Sequence, residues 1–218
     1  MTERSARRQL YGRRKGKALR PHHKRLIADM LPRLRFAPGD LIGGDVRLEI
    51  GFGGGEHLAH QAGLHPQTLF IGAEPFINGV AKLLALIEEK GLSNIRIHDG
   101  DARDLLDTLP DASLSHIYIL YPDPWPKARH QRRRVVNRET VPQMHRVLKP
   151  GGHVFFASDI PAYIAWTLYE MRSHGGFRWL AEDRRDWTAP FPDWIETRYE
   201  AKAKREERVS RYLRFAKA

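Results

Sequence analysis

From residue 45 onward the chain alternates short runs of β-branched or aromatic residues with longer stretches whose apolar positions recur every three or four residues. The short runs, Leu48–Ile50, Thr68–Ala73, Ile95–His98, Leu114–Leu120 and Val154–Ala157, are nearly continuous in apolar character, as expected for strands buried on both faces of a parallel sheet. Between the second and third, Val80, Leu83, Leu84 and Ile87 stand at i, i+3, i+4 and i+7 and Gly91 supplies a stop, which predicts a helix. Val141, Met144 and Leu148 share the face of another, ended by Lys149-Pro150-Gly151-Gly152. Asp159 is placed to cap a third, with Pro161 in its first turn and Ile164, Leu168 and Met171 facing inward. Residues 177–182 and 208–216 predict two last strands as a hairpin edge. The alternation predicts an α/β fold, a doubly wound Rossmann-like sheet of seven mostly parallel strands with an antiparallel C-terminal edge. Ligands of such sheets lie beyond the carboxyl ends of the strands, so the loops after each strand are where chemistry is sought.

Composition adds a partner class. The 218 residues carry 37 Lys+Arg against 26 Asp+Glu, for a formal charge of +11, and the excess is unevenly placed. Residues 1–25 hold ten basic side chains and one acid, Glu3; a second cluster, Lys127, Arg129, Arg132, Arg133 and Arg134, contains no acid. The picture is a nearly neutral domain over 26–218 with a basic arm over 1–25 and a basic loop, which suits a polyanion such as nucleic acid. The absence of cysteine excludes a disulfide framework, a thiolate metal site and a thiol nucleophile, and no metal is expected. No apolar run is long enough to span a membrane, and the first twenty residues lack the apolar core of a secretory signal. An Arg-rich, acid-poor start also has the composition of a mitochondrial transit peptide, but a cytoplasmic protein is expected; monomer and homodimer both stay open.

After the first strand the chain reads Glu49-Ile50-Gly51-Phe52-Gly53-Gly54-Gly55-Glu56. Gly51, Gly53 and Gly55 allow a tight turn and close approach to a ligand. A dinucleotide fingerprint wants Gly or Ala where this chain has Glu56, a carboxylate that repels a diphosphate. Glu74 ends the second strand at the spacing where an acid accepts from ribose hydroxyls. These features suit a nucleoside cofactor without phosphates, S-adenosylmethionine being the leading candidate. Asp101 is placed to accept from an adenine amino group, or else to form a turn. Glu49 is placed to meet the cationic methionine end, or else is an ordinary strand-end acid.

After the fourth strand comes Tyr121-Pro122-Asp123-Pro124-Trp125-Pro126-Lys127-Ala128-Arg129-His130-Gln131-Arg132-Arg133-Arg134, whose prolines stiffen the loop that presents Asp123. With Leu48–Gly55, Ser158-Asp159 and Thr197-Arg198-Tyr199-Glu200, this stretch resembles the bacterial tRNA (guanine-N7-)-methyltransferase family over about residues 10–218. The resemblance implies methyl transfer from S-adenosylmethionine to guanine N7 in the variable loop of tRNA. It implies that Glu49, Glu74, Asp101 and Asp123 line the cofactor site, with Asp123 also catalytic. It further implies substrate contacts from Lys127, Asp159, Thr197, Arg198, Tyr199 and Glu200, and RNA contacts from Arg129, His130, Gln131, Arg132, Arg133 and Arg134. Two of these have structural alternatives, Asp159 as a helix cap and Glu200 as an ion-pair partner.

The chemistry constrains Asp123. Guanine N7 already carries an unshared pair, so attack on a sulfonium methyl needs no proton removed there. A carboxylate instead orients the base through its N1–H and amino group and stabilises the positive charge that grows on it. Trp125 is placed either to stack on the base or to support the loop. The basic arm is expected to fold on RNA or over the cofactor, adding affinity and little selectivity. Rival readings are a methyltransferase for another RNA position, a catalytically silent RNA-binding relative, and a nicotinamide dehydrogenase, the last disfavoured by Glu56.

Overall fold

The computed structural model describes residues 10–12 and 14–218. Strands β1 (Val46–Ile50), β2 (Leu69–Ala73), β3 (Ile95–His98), β4 (Leu114–Leu120), β5 (Leu148–Ser158), β6 (Phe177–Trp179) and β7 (Arg211–Lys217) form one sheet in the order β3-β2-β1-β4-β5-β7-β6. The first five are parallel, and β7 runs antiparallel between β5 and β6. The chain winds outward from β1 in both directions, and the crevice where it reverses, between β1 and β4, opens at the carboxyl ends of the strands.

Nine helices connect these strands among the described residues: α1 (Pro21–Asp29), α2 (Leu31–Leu34), α3 (Glu56–Leu64), α4 (Ile77–Lys90), α5 (Ala102–Thr108), α6 (Thr140–Val147), α7 (Pro161–His174), α8 (Arg185–Thr188) and α9 (Arg198–Arg205). On one face of the sheet Leu48, Ile50, Ile117, Ile119, Val154 and Phe156 pack against α5, α6 and α7. On the other, Phe70, Ile95 and Ile97 meet α1, α3 and α4. Coverage of both faces is why the central strands read as unbroken apolar runs. Beyond α3, the second face of β4, β5 and β7 is covered by a loop: Tyr118, Phe155 and Tyr212 pack against Phe191 and Trp194. No helix of the described residues is long and apolar enough to cross a membrane.

Three local expectations change. The Lys149-Pro150-Gly151-Gly152 stretch does not lie between helix and strand, because α6 ends at Val147 and Leu148 already pairs with Leu114. The sheet absorbs Gly151, at φ +70°, through a register shift opposite Leu114 and His116. Asp159 does not cap α7. Ile160 occupies that position without a side-chain bond, and the Asp159 carboxylate pairs with Arg208 Nη1 at 2.7 Å, a longer-range partner that outcompetes the local cap. The last strands are shorter than the stretches that predict them.

The arm is tied down over its second half. The boundary at residue 25 falls within α1, whose Leu26 is fully enclosed in the α1–α3–α4 core, a burial worth about 2–5 kcal/mol against alanine. Upstream, Ile77 N–H donates to the Arg14 carbonyl, Gly16 N–H to Asn78 Oδ1, and Asn78 Nδ2 to the Lys17 carbonyl. These three bonds clip residues 14–17 to the start of α4.

Candidate functional site

The glycine turn joins β1 to α3. Gly55 stands at φ +81°, and a Cβ there would lie 2.6 Å from Leu83 Cδ1, so no other residue fits without strain. Gly54 has a different reason: the Arg198 guanidinium occupies the space a side chain would need. Arg198 Nε lies 3.1 Å from Glu56 Oε1, so the acid that disfavours a diphosphate also ties the start of α9 to the turn. Tyr199 lays its ring against Gly53.

Glu74, just past β2, is buried, and accepts from Gly53 N–H at 2.8 Å and Phe76 N–H at 2.9 Å. Burial pushes its carboxyl above the ordinary value and the nearby Asp123 charge adds to that, while the two backbone bonds and Arg198 oppose it. The two bonds occupy one site on each oxygen, leaving further lone pairs for hydroxyls. Asp101 caps α5 by accepting from Arg103 N–H at 3.0 Å, and also holds the Arg103 side chain. Glu49 is buried and does not border the cavity; its Oε2 lies 2.7 Å from His57 Nδ1. A carboxylate only accepts, so His57 donates from Nδ1. The sequence reading missed His57, which also touches the rings of Tyr118 and Trp194.

A cavity of about 440 Å³ lies over the carboxyl ends of β1, β2 and β4, within the range of small-molecule sites. Its wall brings together Gly51, Gly53, Glu74, Asp101, Asp123 and Tyr199. It also takes in Phe76, just past β2, and Leu10–Gly12 of the arm. Asp123 is exposed at this wall, and its carboxylate has no hydrogen-bond partner among the described residues. The loop that carries it is bracketed by two non-glycine residues in the left-handed region, Tyr121 at φ 51° and Trp125 at φ 41°. Such conformers cost on the order of 1–3 kcal/mol each and persist only where surrounding contacts impose them.

The basic loop divides. It forms a 3-10 turn over Ala128–Arg133, with Lys127, Arg129 and Arg132 exposed and His130 and Gln131 half-buried. Arg133 stacks its guanidinium on Tyr11 at 4.5 Å and Trp125 at 5.0 Å, so Trp125 supports a cation on its face. Arg134, expected to meet RNA, is instead 2% exposed and turned into the protein, where the Pro124 carbonyl and the Tyr163 and Trp166 rings hold its guanidinium. Burial lowers its pKa from the usual arginine value.

The C-terminal segment divides as well. Thr197 Oγ1 accepts from Glu200 N–H and caps α9. Glu200 is buried, its Oε2 accepting from Trp194 Nε1–H at 2.6 Å and its Oε1 from the Tyr212 hydroxyl at 2.7 Å. Thr197, Glu200 and Asp159 thus lie outside the cavity and brace the segment that presents Tyr199 to it. Among the described residues no group of three or more His, Asp or Glu side chains converges as a metal site would require.

The chain matches a family profile described as "Putative methyltransferase" over residues 44–212. It is 52% identical to the tRNA (guanine-N(7)-)-methyltransferase of Agrobacterium fabrum over 216 residues, covering 94% of this chain and 93% of that protein. The enzyme of the same name from Brucella anthropi is 53% identical over 216 residues, with the same two coverages. Among solved structures, the 16S rRNA methyltransferase KamB superposes with a TM-score of 0.59 at 20% identity over 80% of this chain and 88% of that one, a likeness of fold. The aminoglycoside resistance methyltransferase NpmB1 gives 0.54 at 19% identity, over 80% and 87%. A glycine turn, an acid past β2 and a stiffened acidic loop thus converge in a sheet crevice shared with methyltransferases, and near-full-length identity above 50% fixes the kinship: the chain belongs to the tRNA (guanine-N(7)-)-methyltransferase family.

Proposed function

We propose that this protein transfers a methyl group from S-adenosylmethionine to N7 of a guanine in the variable loop of tRNA, acting in the cytoplasm. The observation that carries the reading is the meeting, in one cavity, of the glycine turn and Glu74 with the exposed Asp123, beside an outward-facing basic turn. The donor would lie along the turn at Gly51 and Gly53, with Glu74 accepting from ribose hydroxyls through its remaining lone pairs and Asp101 from the adenine amino group. Glu49, buried behind the cavity wall and paired at Oε2 with His57, would act on the methionine ammonium only through its charge. Phe76 supplies an apolar wall.

The donor supplies an electrophilic methyl on a cationic sulfur. The methyl would pass to the N7 lone pair as the carbon–sulfur bond breaks, its electron pair staying on sulfur, and N7 has no proton to lose. Asp123 accepts from the base N1–H and amino group, aligning N7 and stabilising the charge that develops on the ring. Tyr199 and Arg198 border the base, and Asp159, Thr197 and Glu200 hold their segment in place. Lys127, Arg129, His130, Gln131 and Arg132 face the RNA backbone, where cations position the substrate without reading its sequence.

The test is methylation of tRNA with isotopically labelled donor, followed by nuclease digestion and identification of the modified nucleoside. Label in 7-methylguanosine is expected, and label at another atom refutes the assignment. In the same assay Asp123→Asn is expected to lower the single-turnover rate about 100-fold or more, the scale seen when a transition-state contact is removed. A wild-type rate for this variant removes Asp123 from the chemistry.

A further inference from the structure

Arg134 is a buried cation without an acid. It lines the cavity wall at 2% exposure, and among the described residues no carboxylate pairs with it. Its neighbours are carbonyls and rings. Nε–H donates to the Pro124 carbonyl at 2.9 Å, Nη1 points at the Ala162 carbonyl 3.5 Å away, and the guanidinium lies 4.9 Å from the Tyr163 ring centre and 5.2 Å from that of Trp166. The two rings are themselves fixed: Trp166 Nε1–H donates to the Val136 carbonyl, and the Tyr163 hydroxyl accepts from Val136 N–H. The guanidinium is therefore a rigid strut between α7 and the Asp123 loop.

The position of its contact matters. Pro124 directly follows Asp123, and the stretch Pro122-Asp123-Pro124 can offer one backbone N–H, because two of its three residues are proline. Tyr121 and Trp125, both left-handed, bracket that stretch, so the loop would relax if nothing held it. Tyr121 is tied at its own end, N–H to the Ala157 carbonyl and hydroxyl to Ser210. The bond from Arg134 supplies the matching tie on the far side of Asp123.

We infer that Arg134 is a positioning residue, which fixes the Asp123 carboxylate against the target base by clamping the Pro124 carbonyl, and is not a phosphate contact. This rests on the proposed role of Asp123. An isolated buried cation is a poor stabilising device, and an apolar side chain of similar length in its place is often neutral or favourable for folding. Its contacts serve the geometry of the loop more than the stability of the fold.

Two substitutions in the full chain test this. In Arg134→Lys the charge and stem remain but a methylene replaces Nε, so the donor to Pro124 is lost; Arg134→Met removes the charge as well. Single-turnover methylation with saturating tRNA and donor is expected to fall about 100-fold in both, the scale of a misplaced catalytic group. Affinities for S-adenosylhomocysteine by calorimetry and for tRNA by filter binding are expected to stay within about twofold, and the melting temperature of Arg134→Met to equal or exceed that of the wild type. Because Arg134 acts through Asp123, adding Arg134→Lys to Asp123→Asn is expected to slow that variant further by less than about twofold. A wild-type rate for Arg134→Lys, full additivity with Asp123→Asn, or weakened tRNA binding at an unchanged rate overturns the inference. A joint fall of melting temperature and cofactor affinity in both variants also overturns it, by reducing Arg134 to packing. A wild-type rate for Asp123→Asn alone removes the underlying reading, whereas a slow Asp123→Asn beside a fast Arg134→Lys removes only the clamp.

Discussion

Replacing Glu200 by alanine separates a brace from a substrate contact. Glu200 is 3% exposed, and its carboxylate accepts from the half-buried Trp194 Nε1–H at 2.6 Å and the buried Tyr212 hydroxyl at 2.7 Å, with the exposed Lys204 ammonium 3.4 Å from Oε1. Burial and this bond to Glu200 push the Tyr212 hydroxyl well above its ordinary pKa, keeping it a donor. Hydrogen bonds to a charged acceptor are worth about 1.5–3 kcal/mol each, and the truncation leaves both donors unpaired. Against this stand the desolvation of the carboxylate, relieved on its removal, and the slightly better helix propensity of alanine. A net loss of about 2–4 kcal/mol is expected, which for a chain of this size lowers the melting temperature by roughly 5–15 °C. Glutamine is the control: its carbonyl accepts from Trp194 and its amide donates to the Tyr212 oxygen, for an expected cost of under about 1.5 kcal/mol. Thermal denaturation followed by circular dichroism reads the stability, and methylation at varied tRNA concentration reads function. Wild-type melting of the alanine variant with only KM for tRNA raised would refute the brace and place the carboxylate on the substrate.

Two further expectations follow from charge. Changing Arg129 and Arg132, both exposed on the basic turn, to glutamine is expected to reduce the slope of log tRNA affinity against log salt by about two and leave cofactor affinity unchanged; an unaltered slope places the RNA elsewhere. His116, whose pKa burial lowers to about 4 with the Arg47 charge contributing, stays neutral in the folded protein while the unfolded chain takes up a proton below about 6.5. Its contribution is therefore whole above pH 6.5 and lost as the pH falls towards 4. Discounted for partial exposure, that is about 1 kcal/mol at pH 5, so His116→Phe is expected to melt with a smaller difference between pH 7 and pH 5 than the wild type. Equal differences in the two proteins refute the assignment.

The sheet was legible because strands buried on both faces announce themselves locally, and β2, β3 and β4 lie within a residue of where the apolar runs put them. The glycine turn, Glu74 and Asp123 were equally legible, since topology alone aims the ends of adjacent strands at one crevice. What one chain read in order could not supply was the partner of each charge. Asp159 had a good local role as a cap, and lost it to Arg208, nearly fifty residues on. Glu56 found Arg198, and Glu49 found His57 in the first turn of the next helix. The run Arg132-Arg133-Arg134 is uniform as a sequence, yet a short 3-10 turn sends one side chain to solvent, one between two rings and one into the interior. Charge counting cannot see that partition, because it depends on which way a six-residue turn faces.

The clip between residues 14–17 and α4 alters how the arm can be studied. Leu10–Gly12 form part of the cavity wall, and the same few residues of backbone connect that wall to Arg14, Lys15 and Lys17. A truncation ending at residue 20 therefore removes a partition of the small-molecule site along with the positive charge, and a loss of activity would not say which was missed. Charge-neutral replacements at Lys15 and Lys17 keep the backbone carbonyls and amides that Ile77 and Asn78 use, and so dissect the two contributions. At Arg14 and Lys17 charge and anchoring are carried by different atoms of the same residue, and a clean experiment changes side chains and spares the main chain.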